Sequence, residues 1–249
     1  MKFLVRKMIY PGSFVGVPDS PPEPLRQLEL SLSNKNQALA WYFIKDPDLP
    51  FLIYFHGNAE NVQTVWLSGM VGQLQALEVN FMIMEYPGFG RSRGTPHENT
   101  LLESASKGVN WIDETYPGSK IVACGWSLGA AVAVLTARQF PEKIHGLIAL
   151  SAWTSLEEVA KIHYPDWLVN RFLREKYSSI EAAEQVVQPV LLIHGGDDYI
   201  IPAAHSVQLA PKFPDLYEHL IIEGAHHNDL LGYPEVWRSM KQFVKSLSP

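Results

Sequence analysis

A single junction constrains this chain more than any other feature. Lys120-Ile-Val-Ala-Cys124, an apolar run with strand character, passes through Gly125-Trp126-Ser127-Leu128-Gly129 straight into helix-like residues 130–138. Gly-x-Ser-x-Gly alone recurs by chance in roughly one chain in ten of this length, given average Gly and Ser usage. Set between a strand and a helix, it has a mechanical meaning. The turn is so tight that its flanking positions must be nearly free of side chains, and it holds the serine Oγ over the helix N-terminus. Ser127 is therefore read as a nucleophile.

Strand and helix patterns alternate along most of the chain. Short apolar runs at 51–55, 81–84, 121–124, 144–150, 190–193 and 220–222 suit strands covered on both faces. Helical spacing occupies 61–77, 98–116, 128–139, 203–210 and 234–247, while 27–33 and 39–44 read as a strand hairpin. Residues 11–24, rich in Pro, Gly and Ser, form an irregular lead-in. This alternation predicts an α/β fold with a mostly parallel central sheet and helices on both faces. At 249 residues and 47% hydrophobic, the chain can bury such a core in one domain, 1–249. Only 155–188 breaks the rhythm, separating two strands by more than a crossover helix needs. It carries Tyr164, Trp167, Phe172 and Tyr177, with Trp153 just before it. A small helical cap at about 153–188 is expected, where a sheet enzyme places a pocket wall. The alternative is amphipathic helices that bury these aromatics in the core.

The composition excludes several classes of function. A net charge of −6 with no dense Lys/Arg block argues against nucleic acid or an anionic membrane as partner. The one cysteine, Cys124, forbids an intramolecular disulfide and reads as a small core residue. At the N-terminus, Arg6 and Lys7 break an apolar stretch too short for a signal-peptide core, and no run is long enough to span a bilayer. A cytoplasmic location is expected, with peripheral membrane contact through the cap aromatics as an alternative.

A serine hydroxyl needs a base, and the base needs an orienting group. Two later strands end in suitable residues: His194-Gly-Gly-Asp197-Asp198 and Gly224-Ala-His226-His227-Asn-Asp229. The order Ser, Asp, His is one of the three known for this geometry. The residues themselves leave Asp197 or Asp198, and His226 or His227, open. For an oxyanion, the backbone N–H of Leu128 is one expected donor and that of Asn58, after strand 51–55, the other. His56 beside it suits a structural hydrogen-bonding role. Glu85-Tyr86-Pro-Gly-Phe-Gly-Arg-Ser92 reads as a rigid structural turn, with Tyr86 its member nearest the pocket. Trp126, Trp153 and His226 are the other pocket candidates. The chemistry requires no metal or organic cofactor.

The His56-Gly-Asn-Ala-Glu-Asn61 loop, the 85–92 turn and the 224–229 segment resemble the α/β-hydrolase superfamily, from about residue 51 to the C-terminus. More narrowly they resemble its small-cap serine hydrolases related to protein depalmitoylases. In that branch the acid lies four residues after the His of a His-Gly motif, which implies Asp198. Its base is the histidine preceding Asn-Asp, which implies His227. The resemblance implies a serine hydrolase that cleaves esters or thioesters of small-molecule or acylated substrates through an acyl-enzyme. A non-catalytic binding or scaffold protein on a hydrolase fold, or a serine peptidase, is the alternative.

Overall fold

The computed structural model describes residues 2–247, and side chains from residue 5 onward. Met1, Ser248, Pro249 and the side chains of the apolar stretch at 2–4 lie outside the described residues. Eight strands form one sheet in the order β1-β2-β4-β3-β5-β6-β7-β8. β1 (Arg26–Ser31) and β2 (Gln37–Phe43) are the expected antiparallel hairpin, and β2 also runs antiparallel to β4 (Asn80–Glu85). From β4 onward, through β3 (Phe51–Phe55), β5 (Ile121–Trp126), β6 (Ile144–Leu150), β7 (Val190–Gly195) and β8 (Leu216–Ile222), every pairing is parallel.

Both faces of the sheet's centre are covered, so β3 to β7 are mostly apolar rather than alternating with polar residues, unlike the edge strands β1 and β8. In β3, Phe51, Ile53 and Phe55 pack on one side with α4 (Glu98–Thr115), α5 (Leu128–Gln139), α8 (Ser179–Ala183) and α9 (Ala204–Leu209). Leu52 and Tyr54 face the other layer, formed by α2 (Val62–Leu67), α3 (Met70–Ala76) and α10 (Pro234–Ser246). Cys124 lies buried in that second layer as a free thiol whose pKa burial pushes up.

Three expectations need correction. Residues 61–77 are two helices, because Gly69 adopts φ 81° and ends the first. β8 begins four residues earlier than its apolar signal. As an edge strand it carries polar Glu218 and His219, which sequence periodicity discounts. The N-terminal stretch forms a helix, α1 (Lys2–Ile9), that sequence reading left without structure. Between β6 and β7, residues 155–188 supply α6 (Leu156–His163) and α7 (Asp166–Phe172) before α8. Trp153 and Tyr177 are buried there, while Trp167 is 69% exposed, so the aromatics divide between core and surface.

The start of α5 lies close against the ends of β3 and β5. A Cβ on Gly129 would lie 1.8 Å from the Phe55 carbonyl oxygen, and one on Gly125 would lie 2.0 Å from that of Gly129. Both atoms belong to backbone, which cannot swing aside. Gly129→Ala is therefore expected to destabilise the fold by at least about 3 kcal/mol in urea unfolding. Gly72→Ala, in open space on the exposed side of α3, is expected to be neutral or stabilising by up to about 1 kcal/mol.

Candidate active site

The C-terminal ends of β3, β5, β7 and β8 converge at one edge of the sheet. β5 carries Ser127 out of the strand at φ 57°, ψ −118°, a left-handed conformation rare for a residue with a side chain. Two bonds hold it there: its N–H donates to Leu150 O (2.9 Å), and its carbonyl accepts from Ala130 N (3.0 Å). β7 leads into Gly195-Gly196-Asp197-Asp198, and a Cβ on Gly195 would sit 2.4 Å from Ala225 O. That glycine lets the acid turn lie directly on the loop that follows β8.

The contact aligns three side chains. His227 Nε2 is 3.0 Å from Ser127 Oγ, and His227 Nδ1 is 2.7 Å from Asp198 Oδ2. Asp198 Oδ1 accepts from Ile200 N (3.0 Å) and Ile201 N (2.8 Å), so the carboxylate cannot rotate freely. Burial alone would raise its pKa. The neighbouring imidazoles of His194 and His227 and the Ile201 N–H more than offset this, holding the carboxyl well below the usual carboxylate range. An ionised acid, an imidazole and a hydroxyl in series can pass the hydroxyl proton to the ring and stabilise the cation that results.

The doubled residues separate cleanly. Asp197 is exposed and only its backbone is engaged, with its carbonyl 2.8 Å from His226 Nδ1. That bond turns the His226 ring outward, so His226 does not line the cavity as expected. Tyr86 is also corrected. It is fully buried behind the site, where its hydroxyl donates to His56 O (3.0 Å). Trp126 and Trp153 do border the cavity, and the Trp126 ring centroid lies 5.1 Å from that of His227.

The turn after β3 is fixed from below by a buried ion pair. His56 Nε2 lies 3.1 Å from Glu85 Oε1, and Glu85 Oε2 accepts the Val62 N–H at the start of α2 (3.0 Å). Sequence reading anticipated a structural His56 but not this partner. Asn61 caps α2 reciprocally with Thr64, which places Asn58 and Ala59 at the tip of the turn. Asn58 and Leu128 both border the cavity beside Ser127. Leu128 opens α5, in the turn whose N–H groups lack intrahelical carbonyl partners. From the far side, the N-terminal segment grips the same turn. Asn58 Nδ2 donates to Ile9 O and Gly12 N to Asn58 O, each at 3.1 Å. Tyr10 then reaches Tyr177 through a 2.8 Å hydroxyl pair.

The cavity over Ser127 and His227 has a volume of about 660 Å³. Its walls are apolar, from Val5, Met8 and Ile9 of α1 and from Leu156, Val159 and Phe172 of α6 and α7. Sequence reading missed the α1 wall and two site residues. His194 Nε2 lies 2.8 Å from Ile201 O and 3.4 Å from Asp198 Oδ2, and Glu60 lines the cavity. Among the described residues, no group of His, Cys, Asp and Glu is arranged to hold a metal, and no helix is long and apolar enough to cross a membrane.

Burial opposes charge on His56, but the Glu85 hydrogen bond and field outweigh it and raise its pKa above the usual value. A raised pKa means that the pair's contribution is full below the unfolded value of about 6.5 and is lost as pH rises through the folded value. The melting-temperature gap between wild type and Glu85→Gln is therefore expected to be widest near pH 5–6. It should narrow at alkaline pH, and a pH-independent gap would contradict the assignment.

A family model described as the alpha/beta hydrolase fold matches residues 50–176. An uncharacterized protein of Mycobacterium tuberculosis is 34% identical over 194 residues, 76% of this chain and 67% of its own. Alpha/beta hydrolase domain-containing protein 17C of Mus musculus is 27% identical over 80% of this chain and 60% of its own. Among solved structures, the esterase Pf2001 of Pyrococcus furiosus superposes with a TM-score of 0.76 at 18% identity, covering 96% of this chain and 98% of that one. That likeness is one of fold.

Proposed function

This chain belongs to the alpha/beta hydrolase family, and we propose that it is a serine hydrolase cleaving carboxylic esters or thioesters. The observation that carries the reading is the unbroken series of Ser127, His227 and Asp198, with contacts of 3.0 and 2.7 Å. In this reading Ser127 attacks the acyl carbon as His227 takes its proton. Asp198 fixes the ring tautomer and stabilises the imidazolium. The backbone N–H groups of Asn58 and Leu128 receive the developing oxyanion. His227 then protonates the leaving alcohol or thiol, and afterwards activates the water that releases the acid from Ser127.

Residues 153–188 act as a cap over a single domain, and the apolar cavity beneath them accommodates the acyl chain. A volume of about 660 Å³ is that of an ordinary small-molecule site. It supports a medium acyl group, and the resemblance to the depalmitoylase-related branch supports thioesters as well as oxygen esters.

A fluorophosphonate probe is expected to label Ser127. Ser127→Ala should abolish labelling and lower p-nitrophenyl ester turnover by at least about a thousandfold. Turnover within a few fold of wild type would refute the assignment. His227→Ala should behave like Ser127→Ala, whereas His226→Ala, whose ring faces away, should stay within a few fold. Asp198→Asn keeps the shape but reverses the hydrogen-bonding sense, and should cost on the order of 10⁴ in kcat.

A further inference from the structure

Glu60 places a carboxyl on a cavity whose walls are mostly apolar and otherwise carry no acidic side chain among the described residues. Two bonds hold it there. Its Oε2 accepts the Gly57 N–H at 2.8 Å, and its own N–H donates to Gly57 O at 3.3 Å. The residue therefore closes the 57–60 turn with both side chain and backbone, and the carboxyl leaves the cavity only by giving up the Gly57 N–H. Asn58, Ser127, His227 and Asn228 border the same end of the cavity, so the reacting bond of a bound ester and this carboxyl share one chamber. Burial and the field of Glu85 hold the Glu60 pKa above the usual carboxylate value, and His56, the Gly57 N–H and His227 offset this only in part. The Asp198 carboxylate is different, because its lone pairs are spent on two imidazoles and two backbone N–H groups. Among the described residues the Glu60 carboxyl accepts from Gly57 alone, which leaves acceptor capacity on the cavity side.

Resting on the hydrolase reading above, we propose that Glu60 selects substrates by what lies next to the scissile bond. It favours esters bearing a hydroxyl or a positive charge there and rejects anionic ones. A carboxylate in a mostly apolar cavity repels a second anion within a few ångströms strongly enough to change rates by about tenfold or more. A hydroxyl, in contrast, finds a charged acceptor there, stronger than the neutral side chains of Asn58 and Asn228. The same repulsion acts on the product. Hydrolysis turns a neutral acyl group into a carboxylate beside Glu60, which speeds its departure and weakens product inhibition.

Four octanoate esters test this: those of 1-propanol, glycerol, choline and glycolate, each rate divided by that of hydroxide hydrolysis. For wild type, kcat/KM should be higher for the glyceryl and choline esters than for the propyl ester, and at least about tenfold lower for the glycolate ester. The glyceryl arm reads hydrogen bonding without charge, and the choline arm reads charge without a donor. Glu60→Gln keeps an acceptor for the Gly57 N–H and removes the charge. It should bring the glycolate ester within about threefold of the propyl ester, cancel the choline preference, and let octanoate inhibit at a several-fold lower concentration. Wild-type rates within twofold across all four esters, or ratios that Glu60→Gln leaves in place, overturn the proposal. Should the variant fail to fold, the wild-type ratios decide alone. Propyl-ester turnover and fluorophosphonate labelling of wild type report on the hydrolase reading separately. With both present and flat ratios, only the role of Glu60 falls; with both absent, the role of Glu60 falls together with the hydrolase reading.

Discussion

The closeness of α5 to the ends of β3 and β5 is the constraint on which the site depends. No Cβ fits at Gly125 or Gly129, because one would overlap the Gly129 carbonyl in α5 and the other the Phe55 carbonyl at the end of β3. The helix can therefore start only at Leu128, and the residue between strand and helix must take the left-handed conformation seen at Ser127. Local strain of this kind costs on the order of 1–3 kcal/mol and survives only where the surroundings over-determine it. Here the overlapping layers do so, since the Ser127 N–H is claimed by Leu150 on β6 and its carbonyl by α5. Gly195 repeats the principle on the other side, allowing the turn with Asp198 to rest on the backbone of the loop with His227.

Around that frame, three buried or partly buried carboxyls meet different fates, each set by its partners. A charge taken from water must be repaid by hydrogen bonds or an opposite charge. Asp198 receives two imidazoles and two backbone N–H groups and stays ionised. Glu85 joins His56 to the start of α2, which ties the turn after β3 to the helix that follows it. Glu60 has a single backbone donor and faces the cavity. The gradation matters chemically: the fully satisfied groups build the site, and the partly satisfied one is left to interact with whatever enters it.

Much of this was legible in the residues, for identifiable reasons. Parallel strands buried on both faces read as unbroken apolar runs, so β3, β6 and β7 stand out. The junction at Ser127 is visible because sterics restrict it to glycine at two positions. What was missed has equally definite causes. The helical signal across 61–77 hides the break at Gly69, since a left-handed glycine leaves no mark on hydrophobic spacing. α1 is only eight residues long and carries two adjacent cations, so its apolar side is recognisable only against the cavity that it walls. Tyr86 and His226 adjoin site loops in sequence, yet one hydrogen bond apiece turns each away from the cavity.

The sequence by itself determined the sheet, the elbow and which strand ends carry a serine, acids and histidines. These follow from periodicity and from backbone sterics, which act over a few residues. Which of two adjacent acids meets which of two adjacent histidines belongs to a longer range. Neighbouring residues in a turn point in different directions, and only the packing of the Gly195 turn against Ala225 decides which pair converges. The same holds for the cavity. Its walls come from segments more than a hundred residues apart, and nothing within either segment encodes that they will face each other.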